Sequence, residues 1–318
     1  MAKSKLTALH MVYPPITNSI ASRLSENREV EAILRQSDFY MICGRAKSRF
    51  QNQRVVKQGV FIIDLVIGDK PAIPVTFVVA ELPGIRASRG RDFHFEFDKE
   101  GIGFRAWDGV PHAPSSVILE WFTPDSLLWH VGRGRSGIYG LSNISKVNTF
   151  DLLYVGIATK SDSFDRLLKR GHKARQDILS NEPQRYPGAR VSDETFLCFF
   201  QAESLLITTF DGGGNIRFED LNPSIDEDSV VADAEKAFIS LLKPEYNIQL
   251  YANYPKGDDG LYGGGLERYG YYITEKMTLN TAHGSICGAP DEPGARDKPD
   301  FIFVEGDEVA IHRPGAAS

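Results

Sequence analysis

Two tyrosines beside glycines, followed by a dense run of cations, form the chain's main concentration of chemically useful side chains. Gly137-Ile138-Tyr139 precedes Tyr154-Val155-Gly156, and the segment 164–175 then supplies Arg166, Lys169, Arg170, His172, Lys173 and Arg175. Cations at that density attract phosphate oxygens, and an arginine fork matches two of them at once. A phenol ionises near pH ~10, so tyrosine becomes a useful base only where a neighbouring cation lowers its pKa. Histidine titrates near neutrality without such help. Taken alone, a basic stripe of this kind reads first as a solvated helix exterior, and phosphate attraction is its functional alternative.

The elements that must position them follow from periodicity. Residues 137–141 and 152–158 are short β-type runs joined by a polar spacer, and they are expected to pair as a hairpin with a tyrosine near each end. Phe164, Leu167, Leu168, Gly171, Ala174 and Ile178 recur at helical spacing. Arg166, Lys169, Arg170 and Lys173 fall on the opposite face of that helix. His172 sits at the border of the two faces. Arg175 falls within the apolar face, where a cation is costly unless paired, so it is expected as a buried ion-pair partner or a site residue. A second helix is expected over 232–242, stopped by Pro244. Between the two helices, residues 195–200 and 204–210 read as strands and 211–215 as a glycine-rich turn.

The N-terminal third has a different texture. A helix is expected over 28–41, and β-rich runs at 60–67, 73–80, 93–97 and 117–122 are punctuated by glycine, proline and polar residues. Arg45, Lys47 and Arg49 form a basic cluster, and the Gly132-Arg133-Gly134-Arg135 run marks a boundary. Three units are expected: a β-rich accessory domain over 1–130, a central unit over 131–255 and a strand-and-loop extension over 256–318.

Composition limits the class. At 318 residues the chain can bury a full hydrophobic core without covalent staples. No apolar run reaches the ~18 residues of a membrane helix, and the N-terminus lacks the apolar stretch of a secretory leader. Three cysteines, none in a CxxC pair, argue against a disulfide framework or zinc knuckle and fit a reducing, cytoplasmic setting. The net charge of −6 does not by itself suggest a nucleic-acid binder. The charge is uneven, however: acids gather at 219–235 and cations at 166–175.

The order Gly137-Ile138-Tyr139, Tyr154-Val155-Gly156, an Arg-Leu helix, a glutamate-bearing helix and Lys243-Pro244-Glu245-Tyr246-Asn247 resembles the GIY-YIG nuclease domain over residues 130–250. The resemblance implies an α+β fold, a small mixed sheet with flanking helices. It implies a nuclease that hydrolyses DNA with Mg2+ or Mn2+ held by Glu235. Tyr139 would be the general base or water-positioner, Tyr154 would orient water or phosphate, and Arg166 would hold the phosphate. His172 would share the base role, and Asn247 would anchor local structure or contact phosphate. Two choices stay open. Arg170 or Arg175 could replace Arg166, because six residues separate Arg166 from His172 and an ideal helix would not aim both at one site unless Gly171 breaks it. Glu203, with Asn215 after it, rivals Glu235. The N-terminal domain would select substrate, a protein partner or a second copy. The alternative is a non-cutting module that binds nucleic acid or regulates through the same scaffold.

Overall fold

The computed structural model describes residues 2–24, 26–88, 92–98, 100–158, 162–209, 226–257, 259–290 and 297–314. The turn expected at 211–215, Asn215, and the acidic residues Glu219 and Asp220 lie outside them.

Most of the chain is organised by one ten-stranded mixed sheet. Its strands are β1 (Ala2–Met11), β2 (Ile16–Thr17), β3 (Phe39–Gly44), β11 (Thr149–Ile157), β12 (Thr195–Thr209), β13 (Arg268–Ile273), β14 (Met277–Thr281), β15 (Gly284–Gly288), β16 (Phe301–Glu305) and β17 (Glu308–His312). The order is β15-β14-β11-β3-β12-β1-β13-β16-β17, with β2 on β12. The β1–β13 and β11–β14 pairs are parallel, and the rest are antiparallel. The sheet curls towards closure. Ala289 N–H donates to the Ile273 carbonyl at 3.0 Å, joining the end of β15 to the end of β13.

Alternation decides what each face of this sheet does. Phe39, Met41 and Cys43 of β3, with Phe196, Cys198 and Phe200 of β12, enter the main core beside the helix Glu227–Leu242. Tyr40 and Ile42, with Leu197 and Phe199, face a separate cluster that also holds Phe164, Leu167 and Ile178. In β11 the register shifts between Leu152 and Tyr154. Leu152 and Val155 therefore join the main core, while Leu153 and Tyr154 both turn to the other side. Without that bulge Tyr154 would face inward.

The segment between β3 and β11 builds a second core. One sheet runs β10-β6-β5-β4, from β4 (Ser48–Lys57), β5 (Val60–Ile67), β6 (Ile73–Val78) and β10 (Ile138–Tyr139). Another runs β7-β8-β9, from β7 (Phe93–Phe97), β8 (Phe104–Asp108) and β9 (Val117–Phe122). Phenylalanines fill the space between them, with Phe61–Phe77 and Phe77–Phe104 ring centroids both 4.9 Å apart. Arg45 ties this unit to the large sheet. It is buried, pairs with Asp125, donates to Asn148 Oδ1 at 2.8 Å and lies over the Phe150 ring.

Several expectations are corrected here. The chain does not build a small mixed sheet with flanking helices. Strands from residues 2–44 and 268–312 join the central strands in one sheet, so it extends well beyond the span the resemblance covers. For the same reason a division at residue 130 cuts through sheets: β1 and β3 lie on β12, and β10 lies on β6. The helix expected over 28–41 ends at Leu34, and Phe39 opens β3. The runs 195–200 and 204–210 form one strand, β12, through Thr209. The cations of the 45–49 cluster and of the 132–135 run are engaged within the chain. Lys47 pairs with Asp193, Arg49 donates to the Gly68 carbonyl, Arg133 pairs with Glu275, and Arg135 pairs with Glu120.

Inside the large sheet, Asp233 is fully buried on the helix Glu227–Leu242 and accepts from Tyr254 Oη at 2.6 Å, Tyr271 Oη at 2.7 Å and Leu261 N–H at 2.7 Å. This carboxylate fixes the segment that follows the helix. Asp233→Ala leaves three donors without an acceptor and should lower the unfolding free energy by about 3 kcal/mol. That would be read as a lower urea midpoint. A comparable change at exposed Glu308 should stay within about 0.5 kcal/mol.

Candidate active site

An open cleft of about 820 Å³ lies where β11, the segment 166–174, the helix Glu227–Leu242 and residues 245–251 meet. Tyr154, Arg166, His172, Glu235 and Asn247 all line it. Tyr139 is elsewhere. It sits on β10, opposite Thr76 of β6, half exposed, with its hydroxyl on Glu81. The expected hairpin between the two tyrosine strands does not form, because β11 pairs with β3 and β14 instead.

The second tyrosine of the site is Tyr40, which the sequence reading missed. Its ring is fully buried on β3, where Gly156 of β11 stands opposite it. It stacks on Tyr154, with centroids 6.2 Å apart and an interplanar angle of 24°. Gly156 makes this possible, because a Cβ there would lie 2.6 Å from Tyr40 Oη and 2.7 Å from the Tyr154 ring. Two side chains converge on the buried hydroxyl: Arg166 Nε donates to Tyr40 Oη at 2.9 Å, and His172 Nε2 lies 2.9 Å from the same oxygen.

The six-residue spacing of Arg166 and His172 is resolved by local backbone. Residues Asp165–Lys169 make one widened turn, closed by Arg170 N–H to the Asp165 carbonyl at 3.0 Å. Gly171 then breaks the helix at φ +70°. A new helix, Lys173–Asn181, begins with His172 as its N-cap. Arg35 holds the widened turn from outside through Asp162 at 2.5 Å and Asp165 at 2.9 Å. The cations thereby separate by role. Arg166, Arg170 and Lys173 line the cleft, while Lys169 pairs with Glu31 at 3.0 Å. Arg175 donates to the Leu167 carbonyl at 2.6 Å and to Asn18 Oδ1 at 2.5 Å, so it clamps the two helical pieces together.

The cap also sets the state of His172. Its Nδ1 accepts the Arg175 N–H at 3.2 Å and so carries no proton. A neutral ring then carries its proton on Nε2 and donates it to Tyr40. Burial, reinforced by the Arg166 and Arg175 charges, holds the imidazole pKa down at about 4. Tyr40 Oη thus receives two hydrogen bonds, which leaves its own proton to be given away. Burial pushes the Tyr40 phenol well above its usual pKa; Tyr154 adds to the rise and Arg166 opposes it.

Glu235 and Asn247 occupy the edge of β11 beyond its pairing with β14. Tyr246 N–H donates to the Leu153 carbonyl at 3.0 Å. Asn247 then accepts from Val155 N–H at 2.9 Å and donates to the Val155 carbonyl at 2.8 Å, as a neighbouring strand would. Asn247 is therefore an anchor of the Tyr154-Val155-Gly156 strand. The next edge group, the Ile157 backbone, reaches Glu235. Burial raises the Glu235 carboxyl to about 7, with Arg166 opposing. The rival Glu203 lies exposed on β12 beside His10, away from this cleft.

Among the described residues no group of three or more His, Cys, Asp or Glu side chains is placed to hold a metal ion. Three carboxylates line the cleft, Asp177, Glu235 and Glu245. Glu235, the one at the β11 edge, fits a hydrated Mg2+, which keeps several waters and takes one or two carboxylates plus substrate phosphate. No described helix is long and apolar enough to cross a membrane. No protein-family model matches the chain, and neither a curated protein nor a solved structure does.

The folded pKa of His172 lies below the unfolded value of about 6.5, so its stabilising contribution is intact above pH 6.5 and falls away as pH drops towards 4. Histidine NMR across that range should show an Nε2-protonated ring that stays neutral down to about pH 5. Gly156→Ala should displace the Tyr40 hydroxyl and move the His172 signals to those of a free imidazole. An Nδ1-protonated ring in the unaltered protein would contradict the assignment.

Proposed function

We propose that the protein is a metal-dependent nuclease that hydrolyses phosphodiester bonds in DNA, with a GIY-YIG-like site in which Tyr40 takes the part first assigned to Tyr139. The observation that carries the reading is that Arg166 and His172, which line one cleft with Tyr154 and Glu235, both reach the hydroxyl of Tyr40, buried beneath it. The resemblance rests on the site residues alone, since the surrounding sheet is far larger than the family pattern implies.

Each side chain has a distinct task in this reading. Arg166 is oriented by its Nε bond to Tyr40, which presents the rest of the guanidinium to phosphate oxygens and to the charge that grows on them in the transition state. Arg170 and Lys173 hold the flanking phosphates. His172 and Arg166 donate to Tyr40 Oη and stabilise its phenolate. Once Tyr40 has released its proton to solvent, that phenolate takes a proton from the attacking water and returns to the neutral phenol. Tyr154, stacked on Tyr40, orients that water or the phosphate. Glu235 would hold the cation, which when bound neutralises phosphate charge and lowers the pKa of nearby phenol and water. Asn247 keeps Tyr154 in place.

The test is cleavage of supercoiled plasmid and of single-stranded DNA with Mg2+ or Mn2+. Glu235→Gln and Tyr40→Phe should each lower the rate by about 100-fold or more, on the scale of losing an acid–base or charge-stabilising group. Tyr139→Phe should cut like the unaltered protein. If Tyr40→Phe is fully active, the site assignment fails. Salt-sensitive DNA binding with no cutting by the intact chain would favour the binding-module alternative.

A pH dependence follows from Glu235. Its carboxyl is protonated below about pH 7 and cannot then hold a cation, so cleavage should rise with pH through that value. Because cation binding favours the ionised form, more Mg2+ should move the midpoint to lower pH. A midpoint that ignores Mg2+ concentration would show that another group controls the rate.

A further inference from the structure

Resting on the nuclease reading, we propose that Ile248, with Leu250 beside it, is an apolar wedge that enters the base stack of duplex DNA next to the scissile phosphate. Ile248 is 92% exposed and Leu250 41% exposed, two large aliphatic side chains within three residues. Single exposed aliphatics are common and need no explanation. These two differ in where they stand and how they are held. Ile248 and Gln249 border the same cleft that Arg166, Arg170 and Lys173 line.

The segment that presents them is pinned at both ends. On one side, Asn247 is buried and bonded twice to Val155. On the other, Tyr251 adopts φ +48° and packs against the main core, and Tyr254 is bonded to buried Asp233. The exposure is therefore built in: a short stretch with fixed ends holds its apolar side chains out at the mouth of the cleft. A rigid presentation of this kind lowers the entropy cost of inserting a side chain into a partner.

Chemistry identifies what they meet. A phosphodiester backbone that enters the cleft offers its anionic oxygens to the cations of the 166–173 segment. The apolar surface next to that backbone is the faces and edges of the bases. Inserted aliphatic side chains unstack a base step and kink the duplex, at a cost of a few kcal/mol per step. Such a kink lets a scissile phosphate reach groups that lie below the protein surface, as the Tyr40 hydroxyl does.

The experiment compares Ile248→Ser/Leu250→Ser with the unaltered protein on two duplexes: one fully paired, one with a mismatch beside the cut. Both side chains are solvent-exposed, and a matching circular dichroism melt confirms folding. If the wedge provides the unstacking, the variant should lose about 10-fold or more on the paired duplex and less than about 3-fold on the mismatched one, where unstacking costs less. 2-Aminopurine next to the cut should brighten on binding of the unaltered protein and much less with the variant. Equal losses on both duplexes, or none on the paired one, would overturn the wedge. An unaltered protein that cuts neither duplex removes the nuclease reading itself; the wedge is then judged on 2-aminopurine alone, and no brightening rejects it.

Discussion

A buried hydroxyl must be hydrogen-bonded, and the Tyr40 hydroxyl meets that requirement through Arg166 and His172. Much of the surrounding architecture follows from this one oxygen. For Arg166 and His172 to reach it together, the helix between them must widen and then break, which Asp165–Lys169 and Gly171 accomplish. For Tyr40 and Tyr154 to lie face to face, the residue opposite Tyr40 and two places after Tyr154 must lack a side chain, and Gly156 does. For Tyr154 to face the same side, β11 must carry its bulge. Each of these departures from regular structure would be unfavourable alone, and together they serve a single arrangement.

The sheet edge sets the other half of the site. β14 pairs with β11 only from Thr149 to Asp151, leaving the edge at Leu153, Val155 and Ile157 to be satisfied by other means. The Tyr246 backbone, the Asn247 side chain and Glu235 take those three places in order. A carboxylate drawn to an edge in this way is partly desolvated, hence its raised pKa. The same desolvation makes the position attractive to a cation, because an unpaired carboxylate there is costly. The element that brings Glu235 to the edge is the helix Glu227–Leu242, whose seat inside the curled sheet is set by the main core and by Asp233.

How much of this was legible in the sequence depended on separation along the chain. Tyr154, Arg166, His172, Glu235 and Asn247 fall within about a hundred residues, and the structure brings all five to one cleft. The conflict over the Arg166–His172 spacing was also visible, and so was the residue that resolves it, Gly171. Tyr139 precedes Tyr154 in the motif order that the resemblance requires. Its strand is drawn instead to Thr76 and Phe77 of β6. Tyr40 stands more than a hundred residues before Tyr154, with the whole phenylalanine-cored unit between them. Periodicity carries no information about pairing across such an insertion. The one local signal was the apolar β-type run Phe39-Tyr40-Met41-Ile42-Cys43-Gly44, which a helix drawn through residue 41 concealed.

The gathering of these five residues in one cleft within a sheet larger than expected has a physical explanation. The site depends on β3, β11 and β12 being adjacent and on what covers their two faces and one edge, which involves only a few tens of residues. The rest of the sheet has a different task. The inward faces of these strands carry Phe39, Phe150, Phe196 and Phe200, and such side chains must be removed from water. A small sheet can bury them only against helices. Here β1, β13, β14 and β16 extend the sheet until it curls around the helix Glu227–Leu242 and encloses them. The packing that encloses these side chains is therefore separate from the geometry around Tyr40, and for that reason residues at the site say little about the size of the fold that holds them.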